Sequence, residues 1–588
     1  MAETLISPGV LARENDQSFV TAQPLVRGAA IIGPTVLGPI ERPTLVSSFS
    51  AFQARFGGAL QSGSGQFTYL TSIAANQYFQ NGGESLLVTR VVSASSTWAP
   101  ATSSLIPTGS NGAGTNGTGN ISPFVLETIS QGEIMNNSGS GESVGANGSL
   151  LSGSADNVRW EVSSVNTGSG VFSLLIRRGN DTDNQKVVLE SYNNISLDPF
   201  ASNYISKAIG DIDTTVVTSD GTTYLQESGS NPNISAYVRV KQVNYKTPNY
   251  LNNDGTAKDA FTGSLPAVGS GSFYGSFGGG AGSNLATTAT NKFYQDIDST
   301  NSQGLKAADY TTAIALLADT DNYQYNVISV PGLYNQDYSA TLTSLVNNTI
   351  ARGDSIAVID LVPYNSSISV VNQQAAGFDT SYAAAYWPWL QTIDPNSGEL
   401  VYVPASTFIP GVYAFTDASS DPWFAPAGIT RGGMGQVVRA ERKLTSGNRD
   451  SLYEANVNPI ATFPNQGVVV FGQKTLQKAA SALDRVNVRR LLITLKDFIS
   501  QIADNLVFEQ NTIATRQNFL TQVNPYLESV QQRQGLYAFK VVMDESNNTP
   551  DVIDRNELIG QIFLQPTKTA EFIILDFNVL PTGATFPA

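Results

Sequence analysis

Gly112, Gly114 and Gly117 stand at the spacing of a dinucleotide-binding loop, in which glycines let backbone N–H groups approach a pyrophosphate at a helix N-terminus. That chemistry needs a strand before the loop and a helix after it. Here the triplet lies inside Thr108–Gly119, a stretch rich in Gly, Asn, Ser and Thr, and reads as a plain loop. Asp211 and Asp213 have the oxygen ligands for a hard cation, yet their surroundings read as a solvated loop. Arg352-Gly353-Asp354 spells an adhesion tripeptide and reads as a turn ahead of an apolar strand. Asn-x-Ser/Thr strings such as Asn116-Gly117-Thr118 would accept glycans only in an exported chain.

The cations Arg485, Arg489, Arg490 and Lys496 cluster in an otherwise acidic chain. Two readings stay open: the solvated face and first turn of a long helix, or a positive stripe that meets an acidic partner surface. Cations near a helix N-terminus oppose its macrodipole, so some other group is expected to compensate them.

What the chain lacks narrows the chemistry further. It has 588 residues and contains neither histidine nor cysteine. The commonest general base, the usual zinc ligand, every Ser-His or Cys-His pair and every disulfide are therefore absent. Catalysis by Asp, Glu, Lys or Tyr is left open but disfavoured, and no cofactor or metal site is expected. Lys and Arg number 33 against 48 Asp and Glu, a net charge of −15. Phosphate contacts need the opposite sign, so direct nucleic-acid binding is not expected. Met1–Val10 lacks the basic-then-apolar pattern of a secretory leader, and no run of about 18 apolar residues occurs. Folding in a cytoplasm without membrane insertion is expected.

The elements that must position these residues fall into textured zones. Within residues 1–95 the patterns predict a strand at Ala29–Ile32, a helix from Phe67 to Gln80 stopped by Asn81-Gly82-Gly83, and a buried strand over Ser85–Val92. From Ser93 to Asn301 the composition shifts toward Gly, Ser, Asn and Thr, with alternating strands such as Val171–Arg177 and Ala236–Lys241. From Ala307 the α/β pattern returns. A helix at Tyr310–Leu317 precedes strands at Asn326–Val330 and Ser355–Asp360. Val488, Leu491, Leu492, Leu495, Phe498, Ile499, Ile502 and Leu506 make one apolar stripe on a helix over Val488–Glu509. A second helix, Thr512–Gln534, is expected to be interrupted by Pro525. Strands follow at Leu536–Met543, Leu558–Gln565 and Ala570–Leu580. The expected fold class is α/β (α+β) multidomain: mixed sheets with flanking helices, plus inserted β-rich outer domains.

Several strings resemble contractile tail sheath proteins. Leu5-Ile-Ser-Pro-Gly-Val-Leu11 is similar to the family's opening arm. Phe79–Val92 resembles its helix-turn-strand with Asn-Gly-Gly. Pro410–Asp417 followed by Pro422–Gly428, Asn456–Ile460 followed by Gly467–Leu476, Asn487–Leu491 and Val507–Asn511 continue the likeness in order. Gln510 stands where the family usually has Pro. Asp544–Asn556 and Pro581–Phe586 look most like sheaths of large myovirus-type phages. The likeness covers about 1–95 and 305–588, and leaves 96–300 for variable outer domains.

The resemblance implies a division into an arm at 1–20, core at 21–95, insertion at 96–304, core at 305–440, a C-terminal tube-facing domain at 441–580 and an arm end at 581–588. It implies a homo-oligomer of hexameric rings stacked helically around a tail tube, with Arg485, Arg489, Arg490 and Lys496 as candidate tube-facing residues and baseplate and tail terminator proteins as further partners. It places the protein in the virion, assembled in the host cytoplasm. It also implies that both termini add strands to neighbouring subunits: Ser7, Pro8, Gly9 and Val10 at one end, Phe572, Ile573, Ile574, Leu575, Phe577 and Val579 at the other. Ile573, Leu575, Phe577 and Val579 share one face of such a strand, with Phe572 and Ile574 on the other. A sheath of a non-phage contractile machine, a β-rich adhesin or glycan-active protein, and a capsid-like shell protein are the competing readings.

Overall fold

A computed structural model of the chain describes residues 27–62, 65–108, 121–137, 144–145, 147–283 and 297–571. These divide into two compact units, residues 27–493 with 569–571, and residues 494–568. The expected arm residues Ser7 to Val10 and Phe572 to Val579 lie outside the described residues, as do the Gly112–Gly117 loop and most of the strand expected at Ala570–Leu580.

The larger unit is built on an eight-stranded sheet. Its strands are β1 (Ala29–Gly33), β2 (Thr44–Val46), β3 (Leu86–Arg90), β4 (Val327–Tyr334), β5 (Ile356–Asp360), β6 (Ala383–Trp387), β7 (Asn458–Phe463) and β8 (Gly467–Val470). The spatial order is β2-β3-β1-β4-β5-β6-β7-β8. The neighbours from β3 to β7 run parallel, and β2 and β8 close the two edges antiparallel. Every residue of β1, β3, β4, β5 and β6 is buried. This is the pattern of parallel strands covered on both faces, and it explains why they read as continuous apolar runs instead of alternating ones.

Helices α1 (Leu70–Gln80), α2 (Asn335–Arg352) and α3 (Ile409–Ser419) belong to this unit. Gly82, at φ +89, supplies the left-handed residue that ends α1. Gly353, at φ +71, does the same for α2.

Strand β1 pairs with both β3 and β4, Ala29 lying beside Leu86 and Val327. The chain thus leaves the sheet at Arg90 and rejoins it at Val327. The residues between form separate antiparallel sheets, a four-stranded one that includes Phe124–Gln131 and Val238–Val243, and a three-stranded one over Val158–Asn166, Val171–Arg178 and Val188–Ser196. Arg90 stands at the exit. It is fully buried and donates to the carbonyls of Gly38 at 2.7 Å and Gln131 at 3.1 Å, with its guanidinium 4.9 Å from the Trp98 ring centre. It therefore ties the sheet to the first inserted strands.

The smaller unit begins within α4 (Val486–Asp504) and contains α5 (Ile513–Gln532) and a hairpin of β9 (Leu536–Val542) and β10 (Gln561–Pro566). The Phe498 and Tyr526 rings stack with centroids 3.7 Å apart. Pro525 sits inside α5 without ending it, which corrects the expected interruption. A proline costs one N–H bond and a steric clash, but Phe519, Val523, Leu527 and Val530 flank it on one buried face. Burial of that face carries the helix through. The molecule is an α+β multidomain protein.

Candidate assembly site

The described residues reach the roots of the two terminal segments. Arg27 pairs with Asp354 at 3.2 Å, and two residues later the Ala29 N–H donates to the Tyr78 hydroxyl. Asp354 also holds Arg352 at 2.8 Å. The Arg352 side chain is 1% exposed, donates to the carbonyls of Leu317, Asp319 and Tyr323, and lies over the Tyr325 ring. The Arg-Gly-Asp string is thus an internal staple between a helix end and a strand.

At the other end, the Glu571 carboxylate is held from several sides. Arg485 donates from Nε at 2.7 Å and from Nη2 at 3.0 Å, one bond to each oxygen. The Tyr453 hydroxyl donates at 2.7 Å and Gln473 Nε2 at 3.2 Å. Gln473 also donates to the Thr569 hydroxyl at 2.7 Å. Burial alone would raise the Glu571 carboxyl, but the hydrogen bonds from Arg485 and Tyr453 outweigh it and hold the group below its ordinary value. Nothing in the local sequence announces this clasp.

The basic cluster is not one outward stripe. Arg489 and Arg490 are 4% and 3% exposed, which corrects that expectation for both. Arg489 donates to the Ser381 hydroxyl, and its guanidinium lies 4.0 Å from the Tyr382 ring centre. Arg490 donates to both oxygens of Asp417, one at 2.7 Å, and lies over the Tyr413 ring at 4.7 Å. The planar guanidinium, weakly hydrated and able to stack, is the cation best suited to such burial. Arg485 is turned to Glu571 and Asp484, and Lys496 is exposed. The compensation demanded by cations in the first turns of α4 thus comes from Asp417, Asp484 and Glu571.

The acidic pair is likewise occupied. Asp211 accepts the backbone N–H groups of Ser230 and Asn231, and Asp213 pairs with Arg42 and Arg239. Among the described residues no group of three His, Cys, Asp or Glu side chains is placed to hold a metal ion, and no helix is long and apolar enough to cross a membrane.

In the smaller unit, β9 and β10 pair only with each other among the described residues. Tyr537 and Phe563 on them are 78% and 57% exposed. A two-stranded ribbon is marginal alone, and its outer edges carry unpaired N–H and C=O groups.

Residues 303–476 match the phage tail sheath protein central domain, and residues 478–580 match the phage tail sheath C-terminal domain. The chain carries tail sheath domains. A tail sheath protein of Vibrio phage KVP40 is 38% identical over 39% of this chain and 35% of its own length. The tail sheath protein of Enterobacteria phage T4 is 31% identical over 52% of this chain and 47% of its own length. The chain thus matches less than half the length of either relative. A sheath tail protein from Listeria innocua, solved by crystallography, superposes with a TM-score of 0.49 at 11% identity, covering 92% of this chain and 95% of that one. Glu571, Arg485 and the β9–β10 hairpin fall within the matched sheath C-terminal domain, and Tyr453, Gln473 and the Arg352–Asp354 staple fall in the central one.

Proposed function

We propose that this chain is the subunit of a contractile phage tail sheath, and that it acts by assembly without catalysis. It polymerises as hexameric rings stacked helically around a tail tube, between a baseplate and a terminator. On triggering it passes to a shorter, wider lattice that drives the tube through the host envelope. The observation that carries this reading is the succession of central and C-terminal sheath domains over residues 303–476 and 478–580.

The physical chemistry supports the same reading. Strand addition joins bodies through backbone hydrogen bonds, each worth about 0.5–1.5 kcal/mol net. A few per arm keep neighbours linked while side-chain interfaces repack. The hairpin of β9 and β10, whose edges pair with no other strand among the described residues, is the acceptor for the residues around Ser7–Val10 and Phe572–Val579 of adjoining copies. Contraction then needs only the free-energy difference between two lattices. Lys496 is the member of the basic cluster exposed to meet a tube. Assembly takes place in the host cytoplasm, and the finished sheath is part of the virion.

Electron microscopy of the concentrated, purified full-length chain in negative stain tests the reading. Striated hollow tubes or stacked rings are expected. Closed shells, or particles that stay monomeric with and without tail tubes, would overturn it.

A further inference from the structure

We infer that Glu571 and Thr569, clasped by Arg485, Tyr453 and Gln473, set the phase in which the C-terminal segment is presented to a neighbouring subunit. The inference rests on the strand-donating reading above and adds a positioning device to it.

The geometry is that of a register pin. Thr569 and Glu571 are two positions apart, and the Gln473 amide donates to both, at 2.7 and 3.2 Å. Alternate side chains of an extended chain share a face, so residues 569 and 571 together turn one face of the backbone toward the body. Arg485 then grips the carboxylate with both arms of its fork, at 2.7 and 3.0 Å. A bidentate guanidinium–carboxylate pair fixes orientation as well as position. The Tyr453 hydroxyl at 2.7 Å adds a third direction.

These partners come from distant parts of the chain. Tyr453 lies 118 residues before Glu571, Gln473 lies 98 before it, and Arg485 lies 86 before it. The seat is therefore part of the folded body and exists before any neighbour arrives. Around the seat Arg485 and Lys474 stand among Glu571, Asp484 and Glu454.

The sequence beyond the clasp gives the phase its meaning. Ile573, Leu575, Phe577 and Val579 have the same parity as Glu571, whereas Phe572, Ile574, Asp576 and Asn578 have the opposite one. A strand displaced by one residue exchanges its two faces. If residue 571 is pinned, the phase of the strand beyond it is fixed: the uniformly apolar face continues the side turned to the seat, and the face bearing Asp576 and Asn578 is turned the other way. Without the pin, both phases are open to the arm, and ordering it must be done at each binding event.

The test uses single and double insertions in the full-length chain. One glycine inserted between Phe572 and Ile573 reverses the parity, and two glycines restore it. Sedimentation of polymer, with striations confirmed by microscopy, is expected to fall at least about tenfold for the single insertion and to recover for the double one. In an E571A or R485A background the two insertions are expected to behave alike. The monomer melting temperature of E571A and of the milder E571Q separates loss of the clasp from loss of the fold. Single and double insertions that assemble equally in the native background would overturn the inference. So would parity dependence that persists in E571A. A chain lacking residues 572–588 that still assembles normally would instead overturn the strand-donating reading itself.

Discussion

Arg490 donates from one nitrogen to both carboxylate oxygens of Asp417, a residue 73 positions earlier on α3. The same guanidinium lies over Tyr413, whose hydroxyl is 2.7 Å from that of Tyr386 on β6. A cation that looks like surface in the sequence is thus a tie between helix and sheet. The consequence is testable by charge reversal. Removing one partner of a buried ion pair leaves the other charge uncompensated, at a cost of about 3–5 kcal/mol. R490E is therefore expected to lower the chemical unfolding midpoint of the monomer and to fail in assembly through instability. An R490E monomer as stable as the parent but unable to assemble on tubes would return Arg490 to the role of a tube contact.

Asp360 at the end of β5 gives a pH signature. Its carboxylate is buried and accepts the backbone N–H and hydroxyl of Ser406. Burial pushes the carboxyl up to about 7, although the two bonds from Ser406 pull the other way. The folded chain therefore holds this proton more tightly than the unfolded one. The associated stability is complete below the ordinary carboxylate value and is lost as pH rises from about 4 to about 7. Between pH 5.5 and 8.5 the loss should be about 2 kcal/mol. D360N can keep both contacts with Ser406 without a titrating proton. Denaturant unfolding of parent and variant at the two pH values should show the difference between them changing by that amount. A constant difference would mean that Asp360 is ionised throughout.

The hairpin makes a separate claim. Phe563 and Tyr537 are exposed in the monomer, so their replacement should cost the isolated chain no more than about 0.5 kcal/mol. A carboxylate at either site would face the apolar strands expected to add there, and burying it unpaired would be costly. F563D and Y537D are expected to melt like the parent and to yield no sedimentable polymer. Normal sheaths from both would place the acceptor surface elsewhere.

Legibility followed periodicity and sequence separation. Strands such as β1 and β5 could be read because each is a short apolar run buried on both faces, and α4 because its apolar side chains recur at helical spacing. Where a residue's role depends on a distant partner, local pattern misled. Arg489 and Arg490 read as solvated because Ser381, Tyr382 and Asp417 lie far away in sequence. The single α5 was missed because the local rule for Pro525 was outweighed by burial of Val523 and Leu527. The Glu571 clasp was invisible for the same reason, since a carboxylate's three distant donors leave no spacing to read. The arms were reachable only through resemblance.

The N-terminal segment allows the sharpest separation of folding from assembly. Residues 1–15 carry Ser7-Pro8-Gly9-Val10 and little apolar surface of their own. The described sheet starts at Ala29, whose strand is fully buried and paired on both sides, and Arg27 already anchors to Asp354. Among the described residues, the larger unit has its eight-stranded sheet and its entry ion pair from Arg27 onward. Deleting residues 1–15 should leave the circular dichroism spectrum and melting temperature of the monomer unchanged. If the segment supplies a strand to a neighbour, each copy then loses several backbone hydrogen bonds at about 0.5–1.5 kcal/mol apiece. Over one arm that loss is enough to raise the critical concentration for polymerisation by orders of magnitude. Adding the missing segment as a free peptide should not restore assembly at equal concentration, because the covalent link that makes neighbour capture effectively intramolecular is gone. Sheaths of normal length and striation from the deleted chain would show that this segment joins nothing.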